Sequence, residues 1–520
     1  MRGPRGLRLV EEGLAGQLHQ MLPPARGPRG RRSASCVRTA VFIFIVTFLW
    51  LQLHMASMSG GGSSTGANGA GKHGGAGGAD AENSLHEFLN AVPPHLHKFL
   101  LGRNSSLANS TEPPPQPSLN LTMVRQAIEQ YNAYQVVLNE GRLGPLHNDS
   151  LVIVIQVHAR ITYLRHLLVS LAQARGIENV LLIISHDFFD PEINELVHSI
   201  DFCKVMQIFY PYSIQTHPNE FPGESLGDCP RNIKKEQALK IKCLNAEHPD
   251  LYGHYREAKF TQTKHHWWWK ANRVFDHLEV TRNHTGLVLF LEEDHYVAED
   301  FIEALRLMQK ATAVHCDKCN ILSLGTYLKT YNYYGDSKNK EAAKAKRLGH
   351  STSNIPPSWN FEILPTLYQQ YQKAEVTQWM SNSHNMGMAF NRTTWREIRQ
   401  CVKYFCNYDD YNWDWSLQQV SQNCMPHKLH ALVMRGPRVF HIGECGVHHK
   451  KANCNSTAAI SKVMKVLHNA KKHLFPSHLT ITMPAKLKKT KPLRKGNGGW
   501  GDLRDHQLCY NMTVKDFVLG

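Results

Sequence analysis

None of the strands read below runs into a G-x-G-x-x-G turn, and no G-x-x-x-x-G-K-[ST] loop occurs. Ordinary dinucleotide and ATP phosphate cradles are therefore disfavoured. No internal repeat is visible, which argues against a solenoid. No second Cys-x-x-Cys accompanies Cys316-x-x-Cys319. A zinc site would lack half its ligands, so a short disulfide is the stronger reading. Acidic residues are the minority: the formal charge is +16, which favours anionic partners.

Part of that charge is local. Residues 1–38 hold eight arginines and two glutamates, a net +6, leaving +10 for the rest. The apolar run Thr39–Leu53 follows, and Ala56 and Met58 extend it to roughly the 20 residues a thin bilayer needs. Its N-terminal flank is arginine-rich and its C-terminal flank has no positive cluster. The positive-inside rule puts residues 1–38 in the cytoplasm and everything after about residue 60 in a lumen. A cleaved signal peptide is the rival reading, opposed by the long basic region and the lack of a close cleavage site. Eight Asn-x-Ser/Thr sequons start at Asn104, Asn109, Asn120, Asn148, Asn283, Asn391, Asn455 and Asn511, and none precedes the run. Eleven of the twelve cysteines also follow it, which suits an oxidising compartment.

Length allows two or three domains, or one large α/β domain with attachments. Residues 57–80 are mostly Gly, Ser and Ala, and Pro113–Pro117 is proline-rich. Neither carries enough apolar surface to fold, so a flexible stem is expected over 59–122. Met123–Leu138 has helical spacing and opens the expected folded domain, 123–520. Strands at Leu151–Val157, Val180–Ile184 and Val205–Phe209 alternate with helices at Thr162–Arg175 and Pro191–Ile200. Later strands are expected at Gly286–Leu291 and Ile321–Gly325. Such alternation predicts a Rossmann-like, mostly parallel α/β sheet. The polar stretch 335–373 reads as a surface insertion. The basic run Lys486–Lys495 is either a solvated face or a flexible cover for a diphosphate.

The stretch Leu287–His295 reads Leu-Val-Leu-Phe-Leu-Glu-Glu-Asp-His. A buried strand thus ends in three carboxylates and an imidazole. Ligands of open α/β sheets bind at the carboxyl ends of strands. Adjacent carboxylates repel, so a cation is their natural partner. Gln156-Val157-His158-Ala159-Arg160 ends the first strand and Ser185-His186-Asp187 the second. An aspartate there can accept from a nucleoside and an arginine can contact phosphate; alone, each cluster serves equally well to cap the next helix. Gln262-Thr263-Lys264-His265-His266 runs into three tryptophans. Some of those rings are expected to stack on a sugar or seal a pocket. The two histidines lack the i, i+4 spacing of a helical zinc pair. In Tyr408–Trp415 aromatic residues surround Asp414. Partial desolvation there would raise its pKa and favour a general base; an aromatic core with peripheral acids is the bland alternative. His441 is available as a neutral imidazole ligand.

In this order the stretches Val-Ile-Gln-Val-His, Ser-His-Asp-Phe, Pro218–Gly223, Gly253–Phe260, Gln262–Lys270, Leu291–Tyr296, Tyr408–Trp415 and Gly498–Asp502 resemble the N-acetylglucosaminyltransferase II family. The match covers about residues 123–510. The resemblance implies a GT-A glycosyltransferase fold, a Golgi enzyme on a type II anchor over 39–58, and manganese. It implies UDP-N-acetylglucosamine as donor and the α-1,6-arm mannose of a hybrid N-glycan as acceptor. Transfer would be β-1,2 with inversion, committing the glycan to the complex type. Gln156, Val157, His158, Ala159, Arg160, Asp187, Gln262, Thr263, Lys264, His265 and His266 fall on donor positions. Trp413 lies beside the base Asp414, and Asp294 and His441 fall on metal ligands. The implied disulfides are Cys229–Cys243, Cys316–Cys319, Cys401–Cys424, Cys406–Cys509 and Cys445–Cys454, leaving Cys36 and Cys203 unpaired. A homo-oligomer is left open, and no nucleic-acid partner is implied.

Two departures stand out. No arginine lies within Tyr331–Tyr334, although Lys329 is close, and 335–373 is longer than the family pattern. An inactive glycan-binding protein of the same fold is a rival, but it would have lost Asp294, His441 or Asp414. N-acetylglucosaminyltransferase I is another; Trp267–Lys270 and Glu292–His295 favour II.

Overall fold

The structure, a computed structural model, describes residues 88–90, 92–101, 120–325, 369–443, 456–483 and 495–513. Twelve strands occur among them: β1 Val137–Leu138, β2 Val152–Val157, β3 Leu181–His186, β4 Lys204–Phe209, β5 Val288–Glu292, β6 His295–Val297, β7 Cys319–Ser323, β8 Lys373–Gln378, β9 Met388–Phe390, β10 His430–Met434, β11 Val439–His441 and β12 Thr480–Thr482. Ten form one sheet in the order β1-β4-β3-β2-β5-β9-β7-β10-β8-β12. The run β4-β3-β2-β5 is parallel throughout. β9 then enters antiparallel between β5 and β7. The separate pair β6–β11 is antiparallel and sets His295 opposite His441.

Both faces of the parallel run are covered, which is why its strands are apolar without alternation. On β2, Ile153, Ile155 and Val157 enter one core, with Leu164, Leu167, Leu168 and Leu171 of the helix Ile161–Ala172. Val152 and Val154 enter the other, with Trp267, Trp268 and Ala271 of the helix Ala258–Asn272. Each such side chain contributes roughly 1.5–3 kcal/mol by burial. The parallel strands therefore end together on one edge, which carries the polar clusters.

Three boundaries differ from expectation. The helix expected over Met123–Leu138 spans Leu121–Tyr134. Gln135 takes a left-handed φ of 48° and closes it, and Val137–Leu138 pairs with β4 instead. Part of the expected stem is core: Phe88, Val92, Leu96 and Phe99 are buried against the helix Ile161–Ala172 and its neighbours. Four apolar residues in a short stretch outweigh the polar composition around them. The end of the expected insertion is also built in, since Tyr371 is buried and Lys373 opens β8. No described helix is long and apolar enough to cross a membrane; the run 39–58 lies outside the described residues. So do Lys329, Tyr331–Tyr334, Cys36 and most of Lys486–Lys495.

Four disulfides are formed: Cys229–Cys243, Cys316–Cys319, Cys401–Cys424 and Cys406–Cys509. Cys203 is buried and free. Cys445 and Cys454 lie outside the described residues.

Candidate active site

β5 delivers its acids to the carboxyl edge, and each does something different. Glu292 is half-buried, and burial, with Asp294 beside it, raises its carboxyl above the usual range. Glu293 turns toward the end of β2. It accepts from the His158 backbone N–H at 2.9 Å and from Arg160 Nε at 2.6 Å. Asp294 faces the β6–β11 pair. Its Oδ2 lies 3.2 Å from His441 Nε2 and accepts from Arg160 Nη1 at 2.8 Å. Burial alone would raise the Asp294 carboxyl; His441 and Arg160 hold it below the usual carboxylate range.

Asp294 Oδ1 is buried with no hydrogen-bond partner among the described residues, a costly state unless something else neutralises it. Ligand atoms of Glu292, Asp294 and His295 lie within 4.8 Å of one another. Carboxylate and imidazole donors suit a divalent cation such as manganese, so the residues present fit the implied metal. The close approach is built in by glycine: a Cβ on Gly443 would sit 2.1 Å from Asp294 Oδ2.

Asp414 occupies the first turn of the helix Trp413–Asn423. Its Oδ1 accepts from the Trp415 N–H and its Oδ2 from Asn385 Nδ2, both at 2.9 Å. Burial pushes its carboxyl up to about 7, with Asp410 and Glu292 adding to the rise. The loop before it is fastened by hydrogen bonds. Asp410 accepts from the backbone and side-chain N–H groups of Asn412 and Asn497. Asp409 accepts from the N–H groups of Leu251 and Trp500.

The residues expected at the donor divide into two sets. Gln156, His158, Ala159, Arg160 and Asp187 stand on the carboxyl edge, while Val157 is buried under it. His158 Nδ1 meets Asp187 Oδ1 at 2.5 Å, and that hydrogen bond raises the imidazole pKa although burial opposes it. Burial alone would raise the Asp187 carboxyl; His158 and His266 hold it low. His266 Nε2 also meets Ser185 Oγ at 2.8 Å.

The second set is held by contacts within the protein. Gln262 Oε1 accepts from the Ile214 N–H at 2.7 Å, and Thr263 is half-buried. Lys264 is buried, donates to the carbonyls of Tyr408 and Asp410, and lies over the Trp500 ring. Burial lowers its pKa to about 7. His265 is held by Asp505 at 2.9 Å. Trp267 and Trp268 belong to the core, which leaves the expected stacking or sealing role to Trp269. Trp267 stacks flat on Trp413 at 4.6 Å, so Trp413 spends most of its surface inside the protein. Only Trp269 stays half-buried, set edge-on to Tyr210.

Reading the sequence missed Glu292, Glu293 and His295 as separate actors, Lys270, and Asn385. Lys270 is buried at 2.5 Å from Gln156 Oε1, with its pKa lowered by burial to about 7. A buried lysine within an aromatic helix was a visible signal; nothing in the sequence around Asn385 marks its contact with Asp414.

A mainly parallel α/β sheet thus carries a carboxylate–imidazole cluster at its carboxyl edge and a desolvated aspartate nearby, groups suited to hold a divalent cation and to take up a proton. Residues 125–355 and 360–509 match the sequence model of the family N-acetylglucosaminyltransferase II (MGAT2), and the chain belongs to that family. It is similar to the α-1,6-mannosyl-glycoprotein 2-β-N-acetylglucosaminyltransferase of Mus musculus, 44% identical over 408 residues, 78% of this chain and 84% of the relative. The Arabidopsis thaliana enzyme of the same name is 31% identical over 385 residues, 72% of this chain and 77% of the relative. Among solved structures, mouse xyloside xylosyltransferase 1 overlaps with a TM-score of 0.26 at 10% identity, covering 55% of this chain and 84% of that one. So slight an overlap bears on nothing below.

Proposed function

We propose that the chain transfers N-acetylglucosamine from UDP-N-acetylglucosamine in β-1,2 linkage to the α-1,6-arm mannose of hybrid N-glycans. The similarity to enzymes named for that reaction across most of the chain carries this reading. Asp414 is the base. Its raised pKa suits a group that must hold a proton during the reaction and release it afterwards. It takes the proton from the mannose 2-hydroxyl as that oxygen attacks C1 of the sugar. The O–C1 bond forms while the bond from C1 to the diphosphate oxygen breaks on the opposite face, inverting C1. One base suffices, because no sugar–enzyme intermediate forms.

Asn385 and the Trp415 N–H orient the Asp414 carboxyl. Asp294 and His441 would hold manganese, with Glu292 and His295 adjacent. When bound, the ion supplies positive charge against the leaving diphosphate. Arg160, paired with Glu293 and Asp294, is a protein cation at the same edge for that task. The chain would be a single-pass Golgi protein: tail 1–38, anchor 39–58, a stem, then a lumenal catalytic domain.

Incubating the full chain with UDP-N-acetylglucosamine, manganese and a hybrid glycan already substituted on its α-1,3 arm tests the reading. One new β-1,2 residue on the α-1,6 arm is expected. Addition to the α-1,3 arm of an unsubstituted acceptor, with none to the hybrid, would overturn it.

A further inference from the structure

Two sequons far apart in sequence meet on the surface. Asn148 and Asn283 are both exposed and both lie in turns. The carbonyl of Asn148 accepts from the N–H groups of Thr285 and Gly286 at 2.7 and 3.1 Å, and from Thr285 Oγ1 at 3.2 Å. His284 Nε2 lies 2.6 Å from the Ser150 carbonyl. The second sequon is thus bonded through its own Thr285 to the first. A Cβ on Gly286 would lie 2.7 Å from the Asp149 carbonyl oxygen, so the two turns are in close contact. Neither asparagine carboxamide is engaged by another described residue.

The other described sequons are more committed. Asn391 is half-buried, and its Oδ1 caps the helix Arg392–Gln400 through the Thr394 N–H. Asn511 lies in a helix and accepts from Gln507, and the Thr513 hydroxyl of its sequon accepts from Trp268 Nε1. Asn120 caps the helix Leu121–Tyr134.

Asn148 and Asn283 immediately precede β2 and β5. They stand at the amino edge of the sheet, opposite the carboxyl edge that bears Asp294. Large hydrated glycans there would leave the active-site edge open.

We propose that Asn148 and Asn283 form a paired N-glycan site on the pole opposite the active site. This rests on the lumenal reading of the chain. At each site Nδ2 bonds to C1 of a lipid-diphosphate-linked oligosaccharide. The C1–oxygen bond breaks, the lipid diphosphate leaves, and one amide proton passes to the transferring enzyme.

The full chain expressed in animal cells, deglycosylated enzymatically in heavy-oxygen water and mapped by mass spectrometry, tests the pair. Labelled aspartate at 148 and 283 is expected. Asn148→Gln and Asn283→Gln should each remove one glycan step in gel mobility, with transfer activity unchanged. Labelling at other sequons but not at these two would overturn the pairing and leave the lumenal reading intact. No labelling at any sequon would overturn the lumenal reading and the pair together.

Discussion

Asp414 is where environment changes what a residue can do. An ordinary aspartate is ionised well below neutrality and is a weak base. Here burial lifts the carboxyl to about 7. Below that value it holds a proton and cannot accept the one from the acceptor hydroxyl. kcat/KM should therefore rise about tenfold per pH unit up to about 7 and then level. A profile flat from mildly acidic to mildly basic pH at saturating metal would remove Asp414 from the role. Asp414→Asn should slow transfer about 10²–10⁴-fold while leaving UDP affinity near the parent's; calorimetry and single-turnover assays on one preparation check both halves. Stability carries the same sign. The folded value lies above the unfolded one, so the fold favours the protonated carboxyl, and that advantage is lost as pH rises through about 7. The Asn variant should gain more melting temperature over the parent at pH 8 than at pH 4. Asp294 makes a different demand. Asp294→Ala should abolish high-affinity manganese binding and cut transfer by several orders of magnitude. Manganese titration by calorimetry reads the first effect without any turnover.

At the scale of elements, β5 shows what a sequence reveals and what it hides. Five apolar residues followed by acids announce a buried strand with a ligand edge, and the structure has the buried strand with the acids at its carboxyl end. The division of labour among Glu292, Glu293 and Asp294 was hidden. It depends on which neighbour each side chain meets: Glu293 on the end of β2, Asp294 on β11. Those contacts span more than a hundred residues, and no local pattern encodes them. The helix Ala258–Asn272 misled for a related reason. Its tryptophans resemble a sugar platform in isolation, but partners from distant segments, Trp413, Phe405 and Trp395, absorb two of them into the core. Gly443 is an element-scale constraint. Gly443→Ala must displace either the end of β11 or Asp294. It should weaken manganese affinity at least tenfold, a shift of about 1.4 kcal/mol, with little change in melting temperature. Unchanged affinity on calorimetry would mean that the approach of strand to carboxylate is not needed.

For the whole molecule, the strand–helix alternation made the parallel half of the sheet legible from residues 151 to 209. The later half was less so, because β8 and the three-residue β12 join it from distant segments. The amino-terminal limit of the folded domain was also misjudged. Replacing residues 1–84 with a cleavable secretion signal should leave a secreted, stable enzyme, whereas replacing 1–120 in the same way removes Phe88, Val92, Leu96 and Phe99 and uncovers the face they bury. The second deletion should melt several degrees lower; equal melting curves would show that this segment carries no stability.

The contacts of Asp410 with Asn497 and of Asp409 with Trp500 join residues 87 and 91 positions apart. Ribosomes make proteins from the amino terminus, so Asp414 emerges long before the residues that fasten its loop. Until those later residues have emerged, the nascent chain has its base but not the frame that holds it. A premature stop after residue 490 would spare every residue assigned to the chemistry and still yield an inert product.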